Sequence, residues 1–176
     1  MSALIEELKA QGGILAESVR AHPDATAQDA ELAHRAAQGP RTAGNEPEYE
    51  LLLEMILEGS RLHYGSPRVV HADDPDLALL LGDQLYALGL ARLAALGDLE
   101  AVADLADVIS LVAQAHAASD PLLAQAIWRA GAGAIGWGAS ASYLSAKALV
   151  RDQDPAARAA LCRVTPDPLR RDSASS

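Results

Sequence analysis

The chain has no phenylalanine, a single cysteine and few bases. Aromatic residues make up only 3 % of its 176 positions, so a core has to be assembled from Ala, Leu, Val and Ile. That composition favours helix over strand. Cys162 stands alone, which excludes an internal disulfide and a multi-cysteine metal site and fits a reducing cytosol. Lys and Arg number 14 against 24 Asp and Glu, a formal charge of -10, and this argues against a phosphate backbone or an anionic membrane surface as a partner. No nucleic acid is expected. Period-two alternation, a glycine-rich nucleotide fingerprint and internal repeats are also lacking. The first fifteen residues carry Glu6, Glu7 and Lys9 and show no basic start before an apolar run, so no secretory signal is expected. The uncharged stretch 130–146 is mostly Ala, Gly and Ser, too short and too weakly apolar to span a bilayer. These absences point to a cytoplasmic protein without a membrane span.

What is present is helical. The length suits one domain over 1–162, followed by a tail from 163 to 176 whose Pro, Asp, Arg and Ser show no period and predict disorder. Leu4, Leu8, Leu15 and Val19 keep helical spacing, interrupted at Gly12 and Gly13. Asp24 offers a cap for an Ala-rich second helix ending near Gly39 and Pro40. From Glu48 to Tyr64 the positions Leu51, Leu52, Met55, Ile56, Gly59 and Leu62 form an apolar stripe, with Glu50, Glu54, Glu58 and Arg61 on its flank. Asp74 and Pro75 read as a cap and a first helical residue. Between Leu77 and Leu96 only Asp83 and Arg92 are charged, so this helix belongs in the middle of the fold or in an oligomer interface. Gly97 and Asp98 turn the chain into a helix over 99–117. Asp120 and Pro121 open a long helix to about Val150, in which Ala134, Gly138, Ser142 and Ala146 recur every four residues as a small-residue stripe. A short helix is expected over 154–161. The fold class is all-α, a helical bundle.

Four segments in succession resemble the trans-polyprenyl diphosphate synthases. Leu79–Leu88 reads LLLGDQLYAL, similar to that family's Gly-Asp helix; Leu93–Asp98 reads LAALGD, its turn; and Leu105–Ser110 reads LADVIS, similar to the helix that follows. Gly59-Ser60-Arg61-Leu62-His63 looks like the segment before the family's first Asp-rich motif, and Trp128–Ala132 sits where a Lys-Thr helix is found. The likeness covers roughly 50–145 and implies the N-terminal half of the isoprenoid synthase fold. The family holds Mg²⁺ and a diphosphate through two Asp-rich motifs, because hard cations take several carboxylate oxygens. Here Tyr64 and Gly65 stand in place of the leading aspartates, Arg129 and Ala130 replace the Lys-Thr pair, and 167–172 does not resemble the second motif.

The resemblance therefore implies a chain inactive alone, with no catalytic residue, no metal and no cofactor of its own. It looks like the small non-catalytic subunit of heterodimeric medium-chain prenyl diphosphate synthases, which pairs with a full-length Mg²⁺-dependent chain. Because the family dimerises through its Gly-Asp helix and the next one, the implied interface residues are Leu81, Leu85, Leu88, Arg92, Val102, Leu105 and Ile109. Met55, Ile56 and Gly59 fall where the family lines its hydrocarbon tunnel, although ordinary core is the competing reading of that stripe. Asp83 is expected as a structural hydrogen-bond acceptor with Arg61 or Arg92 as partner, since a buried carboxylate is costly unless paired. The alternative to the subunit reading is a homodimeric isoprenoid-binding or scaffolding protein without a catalytic partner.

Other chemistry finds less support. Asp73, Asp74 and Asp76 read either as a metal cluster interrupted by Pro75 or as helix-capping carboxylates. The histidines at 22, 34, 63, 71 and 116 form no i, i+4 pair. No serine sits in a nucleophile-elbow context. Trp128 and Trp137, nine residues apart, divide between core and interface.

Overall fold

A computed structural model describes residues 2–21, 28–166 and 169. It is all-α: among the described residues there are nine helices and no strand, and the one extended pairing is an isolated antiparallel bridge between Val19 and Val70. The helices are α1 (Ser2–Gln11), α2 (Gly13–Glu17), α3 (Gln28–Ala37), α4 (Glu46–Tyr64), α5 (Pro75–Ala95), α6 (Leu99–Ala117), α7 (Pro121–Trp137), α8 (Ala141–Arg151) and α9 (Ala157–Val164). The chain forms two compact units. The first comprises Met1–Ala33 and Pro47–Leu99, the second His34–Glu46 and Glu100–Ser176.

The first unit is built around α4. Leu4, Leu8 and Leu15 from α1 and α2 pack with Met55 and Leu62 of α4, Val69 and Val70 of the following loop, and Leu81 and Leu85 of α5. Gly12 and Gly13 adopt positive φ, which separates α1 from α2 at the expected interruption. The α4–α5 contact is close because glycines face it. A methyl group on Gly59 would come within 2.9 Å of the Gly82 carbonyl, and one on Gly89 within 2.5 Å of Ile56 Cγ1. Asp74 caps α5 as expected, its carboxylate accepting from Asp76 N at 2.8 Å and Leu77 N at 3.3 Å, with Pro75 in the first turn. The cap position expected at Asp24 lies outside the described residues.

Two expectations about this unit need correction. Glu54 and Glu58 do not flank α4 in water; both are fully buried. Residues 52–60 of α4 are covered on every side by the rest of the chain, and the Glu58 carboxylate is turned inward to meet backbone amides of the loop that follows. Of the two places expected for α5, the middle of the fold is not the one found, because the helix is enclosed on one side only. It is the one described helix long and apolar enough to cross a membrane, yet only 33 % of its most apolar window is buried. Leu81, Leu85, Gly89 and Leu93 turn inward, whereas Asp76, Leu80, Asp83, Gln84, Ala87, Ala91 and Ala94 form an exposed stripe on the opposite side.

The second unit holds α6 to α9 with the end of α3. The long helix expected over 121–150 is two helices. Gly138 takes φ 89° and ψ 150°, outside helical space, and the Ser140 hydroxyl caps α8 by accepting from Tyr143 N at 3.1 Å. The small-residue stripe is thereby cut, and its close packing resides elsewhere: a methyl on Gly131 would meet Val108 Cγ2 at 2.7 Å, and the peptides of Gly39 and Gly136 are in direct backbone contact. Trp128 is buried in α7 and Trp137 half-buried at its end. The last helix reaches Val164 rather than 161, and Thr165 and Leu169 are buried, so ordered chain extends past the expected start of the tail at 163.

Candidate functional site

The polar interior of the first unit is organised by Glu58. Its Oε1 accepts three backbone N–H groups from the loop after α4, those of Arg68, Val69 and Val70, at 2.8, 2.7 and 3.0 Å. Its Oε2 lies 3.6 Å from Arg68 Nε, with both side chains buried. One carboxylate thus serves a loop that has no ladder of its own to satisfy its amides. The loop is further tied to the segment after α2 by Arg20 N donating to Val69 O at 2.8 Å and His71 N to Ser18 O at 2.7 Å.

At the end of α4 the residues that carry the family resemblance converge. His63 Nε2 stands 3.1 Å from Asp83 Oδ1 across the α4–α5 contact, close enough for an ion pair but poorly aligned for a hydrogen bond. The imidazole stacks on the Tyr86 ring, with centroids 5.2 Å apart and planes 4° from parallel, and it also touches Tyr64 at 5.5 Å. Burial pushes the Tyr86 phenol up from its ordinary value. Asp83 is therefore neither buried nor paired with arginine. Its side chain is 72 % exposed and faces His63, while Arg61 donates to Ser66 O at 3.0 Å and Arg92 binds Glu7 and Glu48 at 2.6 Å each. The apolar residues on either side of Asp83 in the sequence give no sign that its own side of α5 is open.

This corner does not fit a divalent cation. Tyr64 and Gly65 supply no carboxylate beside His63, and among the described residues no three His, Cys, Asp or Glu side chains assemble into a metal-binding group. Of the acidic trio, Asp74 is spent on capping α5, and Asp73 pairs with His71 at 2.9 Å in the loop. Met55, Ile56 and Gly59 are buried in helix packing, Met55 in the apolar cluster, Ile56 on Gly89 and Gly59 on Gly82.

The implied interface residues divide into two sets. Leu81, Leu85 and Leu105 are fully buried within the chain, so no partner can reach them without disrupting the core; Leu88, Arg92, Val102 and Ile109 are half-buried. On α5 the accessible apolar surface belongs to residues outside that implied set, above all Leu79 and Leu80, the latter 60 % exposed. A helix apolar all round gives no signal of which face turns inward.

The second unit contains a charged cluster that sequence reasoning missed. Lys147 of α8 is buried, with its Nζ at 2.5 Å from Asp104 Oδ1 and 2.6 Å from Asp107 Oδ2 of α6, and it lies 4.9 Å from the centre of the Tyr143 ring. Tyr143 donates its hydroxyl to Asp104 Oδ2 at 2.9 Å, and Arg151 pairs with Asp107 at 2.6 Å. The cluster borders a cavity of about 360 Å³ shared with Arg41, Glu100 and Leu144. Every charge in it has a partner, so it locks α8 to α6. Burial raises the Asp107 carboxyl, but the hydrogen bonds from Lys147 and Arg151 outweigh it and hold the group below the usual carboxylate range. A depressed folded-state pKa contributes stability that is present above the unfolded value and lost as the pH falls through the folded one. Asp107→Asn should accordingly cost about 1–3 kcal/mol at pH 7 and remove part of the acid-side loss of stability below about pH 4, measured by urea titration across pH.

Comparison with protein-family models, with curated proteins and with solved structures finds no match.

Proposed function

We propose that this chain is a non-catalytic, prenyl-synthase-like subunit that acts by pairing with a full-length, Mg²⁺-dependent trans-prenyl diphosphate synthase and stabilising it or shaping its product length. The observation that carries this reading is the outward face of α5, where leucine and alanine are exposed along the helix that bears the Gly-Asp resemblance. Apolar surface left in water on an otherwise well-packed helix marks an interaction site. Support also comes from His63 and Asp83, drawn from two of the resembling segments and standing 3.1 Å apart. Lipid is a poorer occupant of the face than protein, because Asp83 and Gln84 sit at its middle and would have to be stripped of water.

Co-expression with full-length synthases from the same genome tests the proposal. Co-purification with one of them, and a changed product chain length when the small chain is present, is the expected result. Absence of both with every synthase tried would reject it.

A further inference from the structure

The exposed stripe of α5 carries charge of one sign only. Asp76 and Asp83 lie on it, together with Leu80, Gln84, Ala87, Ala91 and Ala94, over about 27 Å of helix axis. Asp83 is 72 % exposed, with the His63 imidazole beside it at 3.1 Å. The helix's single arginine, Arg92, is turned off the stripe and held by Glu7 and Glu48. The hydrogen bonds to Glu48 and Glu7 further favour the charged guanidinium, and hydrogen bonds from Gln11 and Arg92 in turn hold the Glu7 carboxyl below its usual range. No cation of the helix is left to answer Asp76 or Asp83.

We infer that this face docks a helix of a different protein, one with an apolar stripe flanked by lysine or arginine side chains opposite Asp76 and Asp83, and that it does not dock a second copy of this chain. The inference rests on the subunit reading above and adds the chemistry of the partner. Two copies would bring four carboxylates to one seam without a free cation, on chains that each carry a net charge of -10. Like charges opposed across an apolar seam are a device against self-pairing. Ala87, Ala91 and Ala94 leave the C-terminal part of the stripe low, so the partner's larger side chains fill it, while Leu80 supplies the knob on this side.

The test uses the full chain and two synthetic helical peptides with the same Leu/Ala face, one flanked by lysines and one by glutamates, with binding followed by fluorescence anisotropy and self-association by light scattering. The expected result is a monomer that binds the lysine peptide at least tenfold more tightly than the glutamate peptide, with the preference shrinking as salt is raised. Asp76→Asn with Asp83→Asn should weaken the lysine peptide about fivefold to tenfold, Asp76→Lys with Asp83→Lys should reverse the preference, and Leu80→Glu should abolish binding of both. Circular dichroism of each variant confirms folding, and the salt dependence of the unaltered chain decides the matter if a variant fails to fold. Equal affinity for the two peptides, binding to neither, or a homodimer lost on Leu80→Glu would overturn the inference. A synthase that co-purifies irrespective of Asp76 and Asp83 overturns this inference and leaves the subunit reading standing; lysine-peptide selectivity without any synthase partner does the reverse.

Discussion

Replacing Glu58 by alanine should destabilise the first unit by about 3–5 kcal/mol, a large share of the total stability of a small domain. Two losses combine. The amides of Arg68, Val69 and Val70 lose their common acceptor in a buried loop, and Arg68 is left as a buried cation with no counter-charge at hand. The two contributions separate by substitution. Glu58→Gln keeps a carbonyl oxygen for the three amides but turns an amide toward the guanidinium, so it should cost about 2–3 kcal/mol. Adding Arg68→Met removes the orphaned charge and should restore most of that, because a buried ion pair often gives little over an apolar replacement of similar volume. Urea midpoints of the single and double variants measure the coupling. A double variant no more stable than Glu58→Gln alone would show that the Arg68 charge contributes nothing.

The second large effect is expected where backbones touch. Gly136→Ala should cost about 3 kcal/mol or more, because its methyl would enter the carbonyl of Ala36 at the end of α3. Retreat is blocked: Gly136 O accepts from Arg41 N at 2.9 Å, and Arg41 Nη1 reaches the neighbouring carbonyl of Ile135 at 3.4 Å. Gly39→Ala would drive its methyl into the Gly136 peptide itself and should behave alike. Gly44→Ala is the control. It carries φ 89° with open space around the added methyl, so it should cost only about 1 kcal/mol, the backbone penalty alone. Thermal unfolding of the three variants distinguishes steric contact from loss of glycine flexibility. Equal shifts in all three would refute the close approach.

The elements legible in the sequence were those announced by local chemistry. Asp74-Pro75 and Asp120-Pro121 open helices just where a side-chain acceptor and a pre-set φ make a start inexpensive, and both carboxylates cap as expected. Gly97, with φ 77°, turns the chain between α5 and α6. The break at Gly138 is equally local, with Ser140 as the cap of α8, but the four-residue rhythm of small residues that runs across it masks the interruption. Harder to foresee were features decided by tertiary packing. Glu54 and Glu58 keep the spacing of a solvated flank, and nothing in the helix's own pattern marks their burial. For α5 the ambiguity is intrinsic, since a rotation about its axis exchanges one apolar face for another at little change in pattern. That is why the implied contacts at Leu81 and Leu85 fall inside, and why Leu80 faces out.

The clasp of Glu58 on residues 68–70 also bears on the order in which the chain acquires structure. Its partners follow it by only ten to twelve positions, so the loop closes at small entropic cost. On a ribosome, α4 and this clasp can form before the helices beyond residue 100 have emerged, and the clasp then delivers Asp74 and the start of α5 to their place. The nascent first unit is thus able to shelter its apolar leucines early, before the later helices emerge from the exit tunnel.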